Sequence, residues 1–192
     1  VQVDHFVIQN AGNVDPGALE QFGVACSGRL TLNNSAVRNN RRFGIYVRDA
    51  TGFLTMNNSS VSGNGEIGIL INWASEVILN NSTVNGNADS GIYSHGGYGV
   101  TPKIILNNST VSGNSGEGIG LDPFGYSGPS GLYLNNATIS DNAGGGIRNS
   151  WSTAVARNSI IAENTPYDCP GNVTSAGYNL IGNAVGGFTP GI

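Results

Sequence analysis

Apolar and polar residues alternate over short stretches that return along the chain: Leu30 and Leu32, Leu54 and Met56, Val77 and Leu79, Ile104 and Leu106, Leu132 and Leu134. Alternation at period two predicts strands, because successive side chains on an extended backbone point to opposite faces. A block headed by Asn follows, starting at Asn34, Asn58, Asn81, Asn108, Asn136 and Asn158. A second Asn comes six residues later, at Asn40, Asn64, Asn87, Asn114, Asn142 and Asn164. Four residues beyond it stands a Gly-Ile pair in five copies: Gly44-Ile45, Gly68-Ile69, Gly91-Ile92, Gly118-Ile119 and Gly146-Ile147. The heads recur every 22 to 28 residues around a constant interior, so one structural unit is repeated.

Each unit contains three short strands. One carries the alternating pair, the second carries Val37, Val61, Val84, Val111, Ile139 or Ile161, and the third begins at the Ile of Gly-Ile. Three strands per turn, closed by polar corners, describe a rung of a parallel β-helix, with rungs stacked at roughly 4.8 Å. Helices are disfavoured, since 30 of the 192 residues are Gly and Asn is abundant. Equivalent residues of successive rungs then lie over one another. Ile45, Ile69, Ile92, Ile119 and Ile147 form an inward stack, and both Asn rows form corner ladders of side chains that bond to one another and to turn backbone.

The unit Leu-x-Leu-Asn-Asn-Ser-Thr-Val-Ser-Gly-Asn…Gly-Ile, clearest at 104–119, resembles the right-handed parallel β-helix repeats of secreted surface proteins. The closing stretch, Asn158 to Asn164, then Asp168-Cys169 and Ser175 to Gly182, resembles the end of the β-helix in the choice-of-anchor Q surface proteins. The resemblance implies an all-β, right-handed parallel β-helix of about seven to eight rungs forming a single domain over 1–192. It specifies fold rather than activity, because lyases, adhesins and tailspikes share the architecture.

Composition narrows the setting. A net charge of −4 with 10% charged residues leaves no basic footprint for nucleic acid. No apolar run approaches the roughly 20 residues of a membrane span. The chain opens on Val1 without an initiator Met or signal peptide, so a processed form or a fragment is expected, with an extracellular or cell-surface location. Asn-x-Ser/Thr acceptors are numerous, and Asn57 and Asn80 are read as the outward members of their pairs.

Rung length varies in one place. Asn to Gly-Ile is constant, whereas Ile to the next Asn runs from 11 to 17 residues, so the central insertions leave from one face. The longest are Gly96–Pro102 and Pro123–Ser130; an earlier one spans Ala11 to Phe22. Neither end carries a capping helix, and open solenoid ends invite stacking, so end-to-end self-association is an expected partnership.

The third strand supplies the candidate site. Its outward positions give Tyr46, Tyr93 and Arg148 in one row and Arg48, Asn72, His95 and Asp122 in the next, with Asp49, Trp73 and Trp151 one residue further. Aromatics beside polar groups on such a strip suit a glycan, with rings stacking on sugars. Asp49 and Asp122 are three rungs apart, roughly 14 Å, too far for a hydrolytic carboxylate pair. No catalytic residue, cofactor or metal site is assigned, and the chain leans away from enzyme activity. Cys26 and Cys169 lie six rungs apart, roughly 29 Å, beyond disulfide reach within one subunit. A bond between stacked subunits and two buried free thiols are the alternatives. The function expected is a non-catalytic structural protein of the cell surface, a filament subunit or adhesin. The alternative is a carbohydrate-binding or polysaccharide-degrading β-helix.

Overall fold

A computed structural model describes residues 1–11, 21–74, 76–96, 101–122, 130–169, 171–183 and 188–189, and of residues 150, 151, 171, 172, 188 and 189 the backbone only. The bodies of all three predicted insertions, and the side chain of Trp151, lie outside the described residues.

The described strands wind into a parallel β-solenoid with three faces. The first sheet stacks Gln2–Asp4, Arg29–Asn33, Phe53–Asn57, Glu76–Asn80, Lys103–Asn107 and Gly131–Asn135. The second stacks the three-residue strands Val7–Gln9, Ala36–Arg38, Ser60–Ser62, Thr83–Asn85, Thr110–Ser112, Thr138–Ser140 and Ile160–Ala162. The third stacks Phe22–Cys26, Phe43–Arg48, Ile69–Asn72, Ile92–His95 and Ile119–Asp122. The long strand Ile147–Arg157 passes from third sheet to first without a break, pairing with Ile119–Leu121 at its start and with Gly131–Asn135 at its end. Asn149 bridges this corner, accepting from the Ser152 N–H (2.7 Å) and donating to the Ser152 carbonyl (2.8 Å).

Among the described residues six turns carry all three strands, fewer than the seven to eight expected. In the seventh, the described residues contain no third strand. Asp168 and Cys169 occupy its place, and the Asp168 carbonyl accepts from the Ile147 N–H at 2.9 Å.

The predicted inward stack is present, with Ile45, Ile69, Ile92, Ile119 and Ile147 all fully buried, as are Val61, Val84, Val111 and Ile139. Parallel registers pair Ile45 with Ile69, Ile69 with Ile92 and Ile92 with Ile119. The two Asn rows are both ladders, with different tasks. The heads Asn34, Asn58, Asn81, Asn108, Asn136 and Asn158 take φ between 48° and 52°, the left-handed conformation that Asn tolerates at a tight corner. The second row is buried and runs unbroken: each amide Nδ2 donates to the Oδ1 of the next, from Asn40 through Asn64, Asn87, Asn114 and Asn142 to Asn164, at 2.8–3.0 Å. All donors face the same way, so the last must meet an acceptor. Asp168, an acceptor-only carboxylate when ionised, takes the Asn164 amide and backbone N–H, both at 2.8 Å.

The recurring Gly of Gly-Ile has a steric cause. A Cβ on Gly44, Gly68, Gly91 or Gly118 would stand 2.6–2.8 Å from the next turn's glycine carbonyl and 2.7 Å from the next ladder amide. Glycine lets the third strand close onto the Asn column.

Candidate functional site

The third sheet points Ile45 and Val47 inward, which turns Tyr46 and Arg48 outward, and later rungs repeat the alternation. Register places Tyr46, Leu70, Tyr93, Gly120 and Arg148 in one column and Arg48, Asn72, His95 and Asp122 in the next. Six of the seven predicted ligand-binding residues therefore share two neighbouring columns. Trp73, the seventh, sits at the strand end with φ 61° and is 47% exposed; its N–H donates to the His95 carbonyl at 3.3 Å.

Within this face the residues divide into two groups. On the early rungs the Asn72 amide donates to the Tyr46 hydroxyl (2.9 Å), the Tyr46 ring lies 5.0 Å from Phe22, and Arg48 stands 3.8 Å from Asp49. On the later rungs the Tyr93 hydroxyl donates to Asp122 (3.1 Å) and accepts from Arg148 (3.1 Å). Arg148 also donates through Nε to Glu117 (2.6 Å), and Ser90 donates to the other Glu117 oxygen (2.7 Å). His95 meets the Tyr93 ring edge-on, 4.9 Å between centroids at 72°.

Gly120 makes the later cluster possible. A Cβ there would fall 2.6 Å from Tyr93 Cδ2, so the ring lies over the glycine, and Arg148 reaches back across that rung to the Tyr93 hydroxyl.

Sequence reasoning missed Glu117 and Ser90. Both stand two residues before the Ile of their blocks, so they are equivalent and stacked; aligning that column would have placed a hydroxyl beneath a carboxylate. Asp49 and Asp122 remain three rungs apart, as their spacing predicts.

Charge states follow from the contacts. Burial opposes ionisation of Glu117, but hydrogen bonds from Ser90 and Arg148 together outweigh it and hold its pKa below the usual carboxylate value. Burial also opposes the charge on Arg148, yet Glu117 and Tyr93 raise its pKa on balance. Tyr93 is raised, by burial first, against the opposing influence of Arg148.

Cys26 and Cys169 are both buried and free, at the first and seventh turns. The Cys26 thiol donates to the Gly28 carbonyl at 2.9 Å, and the Cys169 pKa is pushed up to about 12 by burial and the neighbouring Asp168. The glycosylation expectation needs correction: Asn57 and Asn80 are half-buried in a further ladder, donating to Asn33 (2.8 Å) and Asn57 (2.9 Å). The outward members are Asn58 and Asn81, turned out by their left-handed φ.

Among the described residues no three His, Cys, Asp or Glu side chains gather to hold a metal ion, and no helix is long and apolar enough to cross a membrane. No curated protein sequence matches the chain. A solved structure entitled "Crystal structure of Agl-KA catalytic domain" is similar to it at 15% identity and a TM-score of 0.40, covering 99% of this chain and 46% of the other. The chain thus spans less than half the length of that protein. Residues 19–183 match the family described as right handed beta helix region. With three parallel sheets, an inward Ile stack and a buried Asn column, the chain belongs to the right-handed β-helix family.

Proposed function

We propose that this chain is the β-helical part of a secreted cell-surface protein of the choice-of-anchor Q kind, and that it binds glycans on the outer face of its third sheet without cleaving them. One observation carries the reading: the polar groups around Tyr93 are already paired with one another through Asp122, Arg148 and Glu117. General acid–base work is best done by groups whose pKa lies near the working pH. Glu117 is shifted below the usual carboxylate value and Tyr93 above the usual phenol value, so both move away from neutrality. The network instead fixes the Tyr93 ring, with His95 against its edge, and the Trp73 indole stands about half exposed at the end of the neighbouring strand. Rigid aromatic surface of this kind stacks on sugar rings at little entropic cost.

A glycan array on the purified chain, repeated with Trp73→Asn, tests this. Asn accepts the left-handed φ of that position, so the variant removes the indole while sparing the turn. Affinity for the bound glycans should fall about tenfold or more, the scale of losing one well-packed anchor. Unchanged binding would remove Trp73 from the site, and release of new reducing ends or unsaturated sugars would overturn the non-catalytic half of the reading.

A further inference from the structure

Exposed apolar side chains gather on one face of the solenoid. Nine large ones stand exposed among the described residues, and five of them, Phe6, Val7, Ile160, Tyr178 and Leu180, belong to the second sheet or its margin. All five lie at the two ends of that sheet. Register carries its first outward column through Val7, Ala36, Ser60, Thr83, Thr110, Thr138, Ile160 and Leu180, so the column is apolar at both ends and hydroxylic between. Tyr178 holds the head position of the last rung, with φ 58° and 91% exposure, as His5 holds it in the first with φ 55°.

The column reads nearly alike from either end. Inverted about its midpoint, it sets Thr83 against Thr110, Ser60 against Thr138, Ala36 against Ile160 and Val7 against Leu180. Hydroxyl meets hydroxyl, and apolar meets apolar. The charges follow the same inversion. Among the described residues, the charged side chains of this face and of the corner after its strands are Arg38 on the second rung, Asp141 on the sixth and Glu163 on the seventh, all exposed. Inversion brings Arg38 level with Glu163 and one rung from Asp141. Arg38 spends its Nε on Gln9 (3.0 Å) and keeps four further N–H donors. At the head margin His5 already stands 3.0 Å from Asp4. Gly63, Gly86 and Gly113 occupy the corner of the central rungs, so no side chain there holds two such faces apart.

A surface complementary to its own inverse pairs with a second copy about a two-fold axis. We infer that two copies of this chain associate side by side through their second sheets, with solenoid axes antiparallel, as a closed dimer. Each end of the interface buries Val7 and Ala36 of one copy against Leu180 and Ile160 of the other, and Arg38 meets Glu163 twice. Eight rungs and six residues across give each copy a face of roughly 34 by 16 Å, about 1,100 Å² for the pair. Specific interfaces begin near 1,000 Å², so the dimer is reversible rather than permanent. A closed pair also differs from end-to-end stacking, which continues without limit. The third sheets stay outside the interface, so dimerisation and glycan binding stand or fall separately.

Sedimentation velocity of the purified chain over a wide concentration range tests this. A reversible monomer–dimer equilibrium with no larger species is expected, and X-ray scattering of the dimer should give a longest dimension close to the monomer's, where an end-to-end pair would nearly double it. Leu180→Ser, at a 61% exposed position, should weaken association about tenfold or more. Arg38→Glu and Glu163→Arg should each weaken it about tenfold, since either sets like charges together twice per dimer. An equimolar mixture of these two variants should regain the parent's association, because both contacts of the mixed dimer then join opposite charges. A chain that stays monomeric at every concentration would overturn the proposal. So would open-ended polymers, a doubled longest dimension, or a mixture that associates no better than its components when the circular dichroism and melting of each variant match the parent.

Discussion

The second and third sheets are built from the same rungs, yet their outer faces differ. On the second sheet nearly the same residue returns at each level, so a side chain's neighbours along the axis are copies of itself: Thr83 lies beside Thr110, and Asn108 beside Asn136. On the third sheet the outward column changes at every step, through Tyr46, Leu70, Tyr93, Gly120 and Arg148. Identical neighbours can only repeat one interaction, which yields a uniform surface over the rungs from Asn58 to Asn136. Unlike neighbours can complement one another, and there an arginine, a phenol and two carboxylates join into one network. A solenoid thus makes a lattice by keeping its repeat and a cluster by breaking it.

The most severe test acts on what both faces share. The buried Asn column runs along the corner between second and third sheets, and Asn114→Ala would remove the acceptor of the Asn87 amide (2.9 Å) and of its backbone N–H (3.1 Å). Two buried donors left unsatisfied should cost roughly 2–5 kcal/mol, read as a lower urea midpoint at constant slope. A midpoint close to the parent's would mean that apolar stacking alone keeps the rungs aligned.

Gly120→Val should separate the two faces. Its Cβ would meet the Tyr93 ring, forcing the phenol off Asp122 and Arg148, with a cost of about 1–3 kcal/mol. Third-sheet binding should disappear while circular dichroism still reports the solenoid; retained binding would remove the Tyr93 network from the site. Glu117→Gln is milder, about 1–2 kcal/mol, because it leaves the Arg148 guanidinium beside a neutral amide. Its pH dependence has a definite sign. The folded Glu117 pKa lies below its ordinary 4.5, so its contribution is present above that value and is lost as pH falls through the folded value. Between those two values the variant's stability should change less steeply with pH than the parent's, as followed by thermal melting in a pH series. Smallest of all is Thr110→Val on the uniform face, expected within about 0.5 kcal/mol of the parent, since the side chain points outward and valine suits a strand.

What the sequence by itself determined was the solenoid, its inward Ile and Val stacks, both Asn ladders and the membership of the outward columns. A constant interval forces equivalent residues over one another, so counting along the chain is counting around the axis. The turn number was read too high because Asp168 and Cys169 keep the register of a third strand without its hydrogen-bonded length. Only the tertiary structure decided which of two adjacent asparagines faces outward, since that depends on the positive φ of Asn58 and Asn81 rather than on their order. It alone also decided that Tyr93, Asp122, Arg148 and Glu117 form one network. Columns tell which residues are neighbours, but the reach of Arg148 over two rungs depends on the space that Gly120 leaves empty between them.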